Sequence, residues 1–193
     1  YKEMVQIRNE VFELINVKTK WNIQFFIPYN AYKTGVFQKA FSKNPFIQIN
    51  AYNFFEYHGF EKLRNKFYEW GFAIPRPQNV LIPSILIAIN AGFKEINILG
   101  AEHSWTQNLF VNDKNEVCII DNHFYDKENI KMTPWRNLSG DVYKMSEILI
   151  DLARMFNGYY KIRDYANYRN VKVYNCSEYS FIDAFERKNL TNA

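Results

Sequence analysis

Residues 79–100 read NVLIPSILIAINAGFKEINILG, a long apolar run that stops at Gly92 and is followed by a shorter one. The first run is too long for an ordinary strand and predicts a buried helix, with Asn79 able to cap its first turn. Pro83 is compatible with a helix only near that turn. The second run, EINIL at 95–99, is typical of a central strand in a parallel sheet.

The rest of the chain alternates strand-like and helix-like segments around this stretch. Apolar runs at 22–28 and 171–175 predict strands, and paired runs within 108–121 predict a β-hairpin. A long helix is predicted after Ser139 as its cap, and a closing helix after Ser180. The apolar stripe of the long helix consists of Val142, Met145, Leu149, Leu152 and Phe156. These segments predict an α/β, Rossmann-like fold: a mostly parallel sheet sandwiched by helices, with a β-hairpin insertion.

The composition predicts one domain over residues 1–193, since 193 residues with 48% hydrophobic content suit a single good-sized core. The net charge is +4, but the basic residues do not cluster, so no nucleic-acid partner is expected. Cys118 and Cys176 have no metal-ligand spacing and are expected to be free thiols in a reducing cytoplasm. The most apolar stretch is far shorter than the roughly 20 residues that span a bilayer.

Ligands bind beyond the carboxyl ends of strands in open parallel sheets, and two loops there carry a histidine. Glu102, His103, Ser104 and Trp105 follow the strand at 95–99, and an imidazole among polar groups suits proton transfer. A purely structural turn is the alternative. In DNHFYD at 121–126, His123 lies between carboxylates that can orient it, and Tyr125 offers a phenol to a phosphate. A structural histidine is the alternative there too.

A third loop, NCSEYS at 175–180, offers the small polar groups of Asn175 and Ser177, although a plain turn explains it equally well. The P-loop, GxGxxG, HExxH, GxSxG and Asp-x-Asp patterns do not occur. The histidines at 58, 103 and 123 are not spaced as zinc ligands, so we expect no metal.

Four segments together resemble the bacterial sialyltransferase-like proteins of glycosyltransferase family 42 and its relatives in lipopolysaccharide and capsule biosynthesis. They are residues 79–100, AEHSW at 101–105, DNHFYD at 121–126 and VKVYNCSEYSFIDAFE at 171–186, with the predicted long helix before the last of them. The resemblance covers roughly residues 75–187. Its best part, a helix ending in GFKEI before a strand and a G-x-[DE] turn, is shared with 6-hydroxymethylpterin diphosphokinase-like proteins.

The resemblance implies a Rossmann-like enzyme that moves a sugar, sialic-acid-like in that family, from a CMP-linked donor without a metal or other cofactor. A histidine base removes the acceptor proton while tyrosines hold the departing phosphate. Gly100 and Glu102 match the strand-end glycine and acidic residue of the family. Asn79 falls where a small polar residue opens the helix near the nucleotide, and His123 with Phe124 matches a His-aromatic pair.

The chain departs from the family at the second histidine, where it has Lys127, and at an expected tyrosine, where it has Ser104. His123 or His103 would then act as the base. We also expect the chain to lack the family's N-terminal strand and its Gly-rich nucleotide loop. The predicted catalytic residues are His123, His103 and Glu102. The predicted nucleotide-binding and substrate-binding residues are Asn79, Gly100, Ser104, Trp105, Tyr125, Asn175 and Ser177.

The expected partners are a nucleotide sugar and an oligosaccharide or lipid-linked glycan acceptor, in a cytoplasmic enzyme. Peripheral attachment to the inner membrane and a homo-oligomer are left open. One alternative is a pyrophosphokinase, which would need ATP and Mg²⁺ and is disfavoured by the shortage of clustered carboxylates. The other is a non-catalytic nucleotide-sugar-binding module, which Lys127 favours.

Overall fold

The computed structural model describes residues 2–120, 132–137 and 139–190. The chain is mixed α/β, with parallel and antiparallel strands in small sheets. Its contacts group into two compact units, Tyr1–Ile74 and Pro75–Ala193. One Rossmann-like domain over residues 1–193 stays a prediction.

The first unit is built around a pair of parallel strands. Its elements are α1 (Lys2–Lys18), β1 (Ile23–Pro28), α2 (Tyr29–Lys33), α3 (Val36–Phe41), β2 (Ile47–Tyr52) and α4 (Glu61–Glu69). β1 and β2 pair in parallel, and α2 and α3 supply the crossover that a parallel pair requires. α1 packs on α3, where the ring of Phe12 lies 5.0 Å from that of Phe37.

The second unit holds the remaining elements. They are α5 (Leu81–Asn90), β3 (Glu95–Ile98), β4 (Leu109–Val111), β5 (Val117–Ile120), β6 (Met132–Pro134), α6 (Met145–Tyr168), β7 (Lys172–Asn175) and β8 (Glu186–Arg187). β3, β7 and β8 form a parallel sheet in that order, and β4, β5 and β6 form an antiparallel one. Among the described strands β3 therefore lies at an edge, and the prediction of a central strand is wrong.

The predicted hairpin is confirmed, because β4 and β5 pair antiparallel with Leu109 opposite Ile119. Its turn is held by Asn112, whose Oδ1 accepts hydrogen bonds from the backbone N–H groups of Lys114 and Glu116. An Asx turn of this kind explains the tight reversal. β6 adds a third strand that the sequence did not predict.

The long helix α6 begins later than predicted. Val142 lies in an isolated β-bridge, so Ser139 is not the cap, and Glu147 instead accepts a hydrogen bond from the backbone N–H of Lys144. The buried face is also displaced, since Leu149 is exposed. It comprises Ile148, Met155, Gly158, Tyr159, Ile162, Tyr165 and Ala166. The predicted continuation of the helix past Gly158 is confirmed.

The predicted closing helix after Ser180 is absent from the described residues, where the chain instead runs to the short strand β8. The hydroxyl of Ser180 donates to the carbonyl of Ala101 and accepts from the N–H of Ile182, so it holds a loop. Cys118 and Cys176 are free thiols, as predicted. In the part of the chain that the structure describes, no helix combines the length and apolar character that crossing a membrane requires.

Candidate functional site

The loop after β3 has an unusual backbone. Gly100 lies at φ +64° and His103 at φ +53°. A residue other than glycine rarely adopts the left-handed region, because its Cβ approaches the backbone too closely. Such a conformation persists only where the surrounding structure fixes it, and it is often found at binding and catalytic sites.

The loop after β7 supplies that support. The backbone N–H of Ala101 donates to the hydroxyl of Ser177 at 3.0 Å. The backbone N–H of Phe181 donates to the carbonyl of Glu102 at 2.7 Å. The hydroxyl of Ser180 reaches the carbonyl of Ala101 at 2.6 Å. Two strand-end loops are therefore bonded to each other directly before His103.

Asn175 and Ser177 belong to this support. Both side chains are buried, and Asn175 donates to the carbonyl of Ile182 while its Oδ1 accepts from the N–H of Ser177. The same two residues line a cavity of about 730 Å³ beyond the ends of β3 and β7. The structure gives both residues a role in holding the loop, and their contact with a ligand stays a prediction.

His103 belongs to a hydrogen-bonded group of three side chains, the His103–Tyr159–Asn79 cluster. The Nε2 atom of His103 lies 2.6 Å from the hydroxyl oxygen of Tyr159, which is fully buried on α6. Asn79, just before α5, places its Nδ2 atom 3.0 Å from the same oxygen and 3.4 Å from Nε2. Three separate segments of the second unit therefore converge on one imidazole.

The bonds of Asn79 determine where the protons of the cluster lie. Its Oδ1 accepts from the N–H groups of Leu81 and Ile82, which confirms the predicted cap and turns Nδ2 towards Tyr159. Nδ2 then donates to the Tyr159 hydroxyl, whose own proton has the Nε2 atom of His103 as its acceptor among the described residues. We therefore assign to His103 the neutral tautomer with its proton on Nδ1.

Burial supports the same protonation state. It lowers the pKa of His103 below the ordinary 6.5, and the nearby Glu102 carboxylate opposes this shift only in part. Burial also raises the pKa of Tyr159 to about 12, against the opposing hydrogen bond from Asn79. Near neutral pH the imidazole is uncharged and the phenol keeps its proton.

A cavity of about 260 Å³ lies against the cluster. Its polar and aromatic lining consists of Gln78, Asn79, Trp105, Trp135, Tyr143 and Asp151, and its remaining lining comes from apolar side chains of α6. Asn79 belongs to both features, and the Trp105 ring lies 4.5 Å from the His103 ring. The cluster and this cavity form one candidate site, which we call the aromatic cavity site.

Asp151 is the charged residue of the cavity lining. Its carboxylate lies 3.3 Å from the guanidinium of Arg154 and 3.9 Å from that of Arg76. All three side chains are partly exposed, so these ion pairs orient the carboxylate more than they stabilise the fold. Among the described residues, no group of three or more His, Cys, Asp or Glu side chains could hold a metal ion.

The structure brings together three of the predicted site residues: Asn79, His103 and Trp105. Glu102 is exposed beside them, and Ser104 comes directly before a short 3₁₀ turn, Trp105–Asn108. Gly100 supplies the positive φ where the loop leaves β3. The predicted residues His123 and Tyr125, and Lys127, lie outside the described residues, so a meeting of His103 with His123 stays a prediction.

Sequence reasoning missed Tyr159, Trp135, Gln78 and Asp151. Tyr159 follows Met155 by four positions on the buried face of α6, where a polar tip on an apolar helix face was the available signal. Trp135 follows β6, a strand that the sequence did not predict. Nothing in the local sequence indicated that these side chains would face the same loop.

No protein-family model matches the chain, and comparisons with curated proteins and with solved structures found no match. The family resemblance therefore depends on the quoted residues alone, and the functional argument depends on the geometry of the aromatic cavity site.

Proposed function

We propose that the protein is a glycosyltransferase that moves a sugar from a nucleotide sugar to a lipopolysaccharide or capsule glycan, on a Rossmann-like second unit. Parallel β3 and β7, joined through α6, have the βαβ arrangement that this fold requires. The aromatic cavity site follows β3, where ligands of such folds bind. The resemblance to glycosyltransferase family 42 points to the same reaction.

One observation carries the proposal: the hydrogen bond between His103 Nε2 and the buried Tyr159 hydroxyl, beside a cavity lined by aromatic rings. We interpret it as a neutral imidazole with its proton on Nδ1. In sugar transfer the departing phosphate gains negative charge, and a fixed donor stabilises that charge in the transition state. The Nδ1 atom has no hydrogen-bond partner among the described residues and is free to donate to a phosphate oxygen. Tyr159 acts as a positioning residue, because the hydrogen bond that its hydroxyl donates to Nε2 of His103 keeps the imidazole in this tautomer.

In this arrangement His103 is a donor, so the general base of the proposed reaction is His123. The base removes the proton of the acceptor hydroxyl as its oxygen bonds to the anomeric carbon, and the bond from that carbon to the phosphate oxygen breaks. A base of this kind typically contributes about 10²–10⁴-fold to the rate. The reaction balances without an oxidant or reductant.

The test is to incubate the full chain with CMP-, UDP- and GDP-linked sugars and glycan acceptors, and to follow nucleotide release and product formation. We expect turnover of one donor class. Tyr159→Phe should lower kcat at least tenfold because the tautomer is no longer fixed, while the exposed Tyr179→Phe serves as the matched control. Failure to turn over any donor, or an unchanged kcat in Tyr159→Phe, contradicts the proposal.

A second candidate is a non-catalytic module that binds the same nucleotide sugars. Lys127, in place of the second histidine of the family, favours it. Saturable binding of a nucleotide sugar, measured by calorimetry, without any release of nucleotide would select this function over the first.

A further inference from the structure

We propose that the aromatic cavity site binds one uncharged sugar ring of the acceptor, with its face on the aromatic side chains and its hydroxyl groups on Gln78 and Asp151. This inference rests on the proposed function and adds the chemical class of the acceptor.

The size of the cavity limits its occupant. Pockets for drug-sized ligands run to roughly 300–1,000 Å³. A cavity of about 260 Å³ therefore suits a single ring better than a whole nucleotide sugar. One sugar residue at the end of a glycan, with the rest of the chain outside, satisfies that limit.

The shape of the lining favours a ring with an apolar face. Three aromatic side chains line the cavity: Trp105, Trp135 and Tyr143. The rings of Trp135 and Tyr143 contact each other, with their centroids 6.4 Å apart and their planes nearly perpendicular. Aromatic rings present flat apolar area at low cost in side-chain entropy. The C–H face of a sugar ring is complementary to such a surface.

One polar group of the lining is a buried hydrogen-bond acceptor. The Oε1 atom of Gln78 is buried and has no hydrogen-bond partner among the described residues. A buried carbonyl without a partner is unfavourable, so a ligand that donates to it is bound preferentially. Sugar hydroxyl groups are donors of this kind.

The charge of the lining selects against acidic rings. Asp151 brings a carboxylate to the cavity, whereas Arg76 and Arg154 contact that carboxylate but do not belong to the lining. A ligand carboxylate or phosphate that approaches Asp151 meets a like charge, which the two guanidinium groups offset in part. Hydroxyl groups can donate to Asp151 without that penalty.

The experiment measures binding of small probes to the full chain by saturation-transfer NMR, which does not require turnover. The probes are the methyl β-glycosides of glucose, galactose and mannose, each with its uronic acid counterpart that differs only by a carboxylate at C6. We expect at least one neutral glycoside to bind, and its uronic acid partner to bind at least tenfold more weakly. Absence of binding by all neutral probes, or equal binding of the acid, overturns the inference.

Variants locate the binding. Gln78→Met and Trp135→Ala should each weaken the neutral probe at least fivefold, while Trp21→Ala, an exposed tryptophan of the first unit, should leave it unchanged. Asp151→Asn should bring the affinities of the neutral probe and its acid partner close together. If Trp135→Ala fails to fold, Gln78→Met and Asp151→Asn decide, and unchanged affinities in both overturn the inference.

The two proposals fail separately in this design. Probe binding at the cavity without turnover of any donor removes the glycosyltransferase and retains the sugar site. Turnover of a donor, with neutral probes that do not bind, removes the sugar site alone.

Discussion

At the scale of the residue, the site depends on the position of one proton. Asn79 caps α5 with its oxygen and thereby presents its amide nitrogen to Tyr159, and the Tyr159 hydroxyl then donates to His103. In this series of hydrogen bonds, the neighbouring group determines which atom donates and which accepts. The result is an imidazole whose tautomer follows from the capping of a helix two segments away.

The His103 imidazole should titrate below pH 6.5, because burial disfavours its charged form. Between the pKa of His103 in the folded protein and 6.5, the unfolded chain binds more protons than the folded one. The free energy of unfolding therefore decreases as the pH falls through that range, and His103 imposes no such penalty above pH 6.5. Urea unfolding of the wild type and of His103→Gln across this range measures it. The free energy of unfolding should depend less on pH in the variant, and identical dependence contradicts the assignment.

Tyr159→Phe should lower the free energy of unfolding by about 1–3 kcal/mol, because it removes a buried hydroxyl that is hydrogen-bonded to both Asn79 and His103. Chemical denaturation followed by circular dichroism measures the change. The matched control is Tyr179→Phe, which removes an exposed hydroxyl and should stay within about 0.5 kcal/mol of the wild type. Equal effects of the two substitutions would show that the buried hydroxyl is not held as described.

At the scale of the element, the contact between α5 and α6 places Asn79 near Tyr159. Gly158, next to Tyr159 on α6, allows the approach, since a Cβ there would lie 2.8 Å from the Cδ1 atom of Ile82. Ile82 is itself fully buried on α5. A side chain at position 158 would therefore require Ile82 or one of the two helices to shift.

Gly158→Val should destabilise the protein by about 1–3 kcal/mol through overpacking against Ile82. Asn157→Val is the control, because position 157 is exposed on the same helix. The variant introduces a valine into the helix without a contact with Ile82. Thermal and urea unfolding of both variants measure the difference. Equal stabilities would indicate that α5 and α6 separate without cost.

The sequence predicted the elements whose signals are local. The hairpin at 108–121, the helix α5 with its Asn79 cap and the extension of α6 past Gly158 all follow from short-range patterns. The edge position of β3 and the buried face of α6 depend on strand pairing and packing partners that are distant in the chain. The predicted stripe began at Val142, which lies outside the helix, and it is displaced from the buried face of α6.

Only some residues of the candidate site were predicted from the sequence. The rule that ligands bind at strand ends identified His103 and Trp105, whereas Asn79 was identified as a helix cap and through the family resemblance. Tyr159 and Trp135 could not be assigned, since their proximity to His103 arises only when α6 and the antiparallel sheet pack in place. A reading of loops alone cannot find residues that helices contribute.

At the scale of the whole molecule, the chain consists of two compact units, and every residue of the aromatic cavity site belongs to the second, Pro75–Ala193. The site therefore requires no residue of the first unit among those described. Its loops and its cluster depend on the packing of α5, α6 and the parallel sheet, and its aromatic lining also includes Trp135, which follows the antiparallel strand β6.

Residues 75–193 expressed alone should fold cooperatively and retain the lowered pKa of His103, because the hydrogen bonds and ring contacts of this imidazole with Asn79, Tyr159 and Trp105 lie within that unit. Circular dichroism melting and NMR titration of the histidine ring are the measurements. A fragment that remains unfolded, or one in which His103 titrates at its ordinary pKa, contradicts the independence of the unit.

The most direct measurement is the turnover number for donor cleavage by wild type and by His103→Gln, at saturating nucleotide sugar and acceptor. If His103 donates to the departing phosphate, kcat should fall about 10²–10³-fold while donor binding changes little. Wild-type turnover that persists unchanged in His103→Gln would contradict the assignment of this imidazole to the reaction.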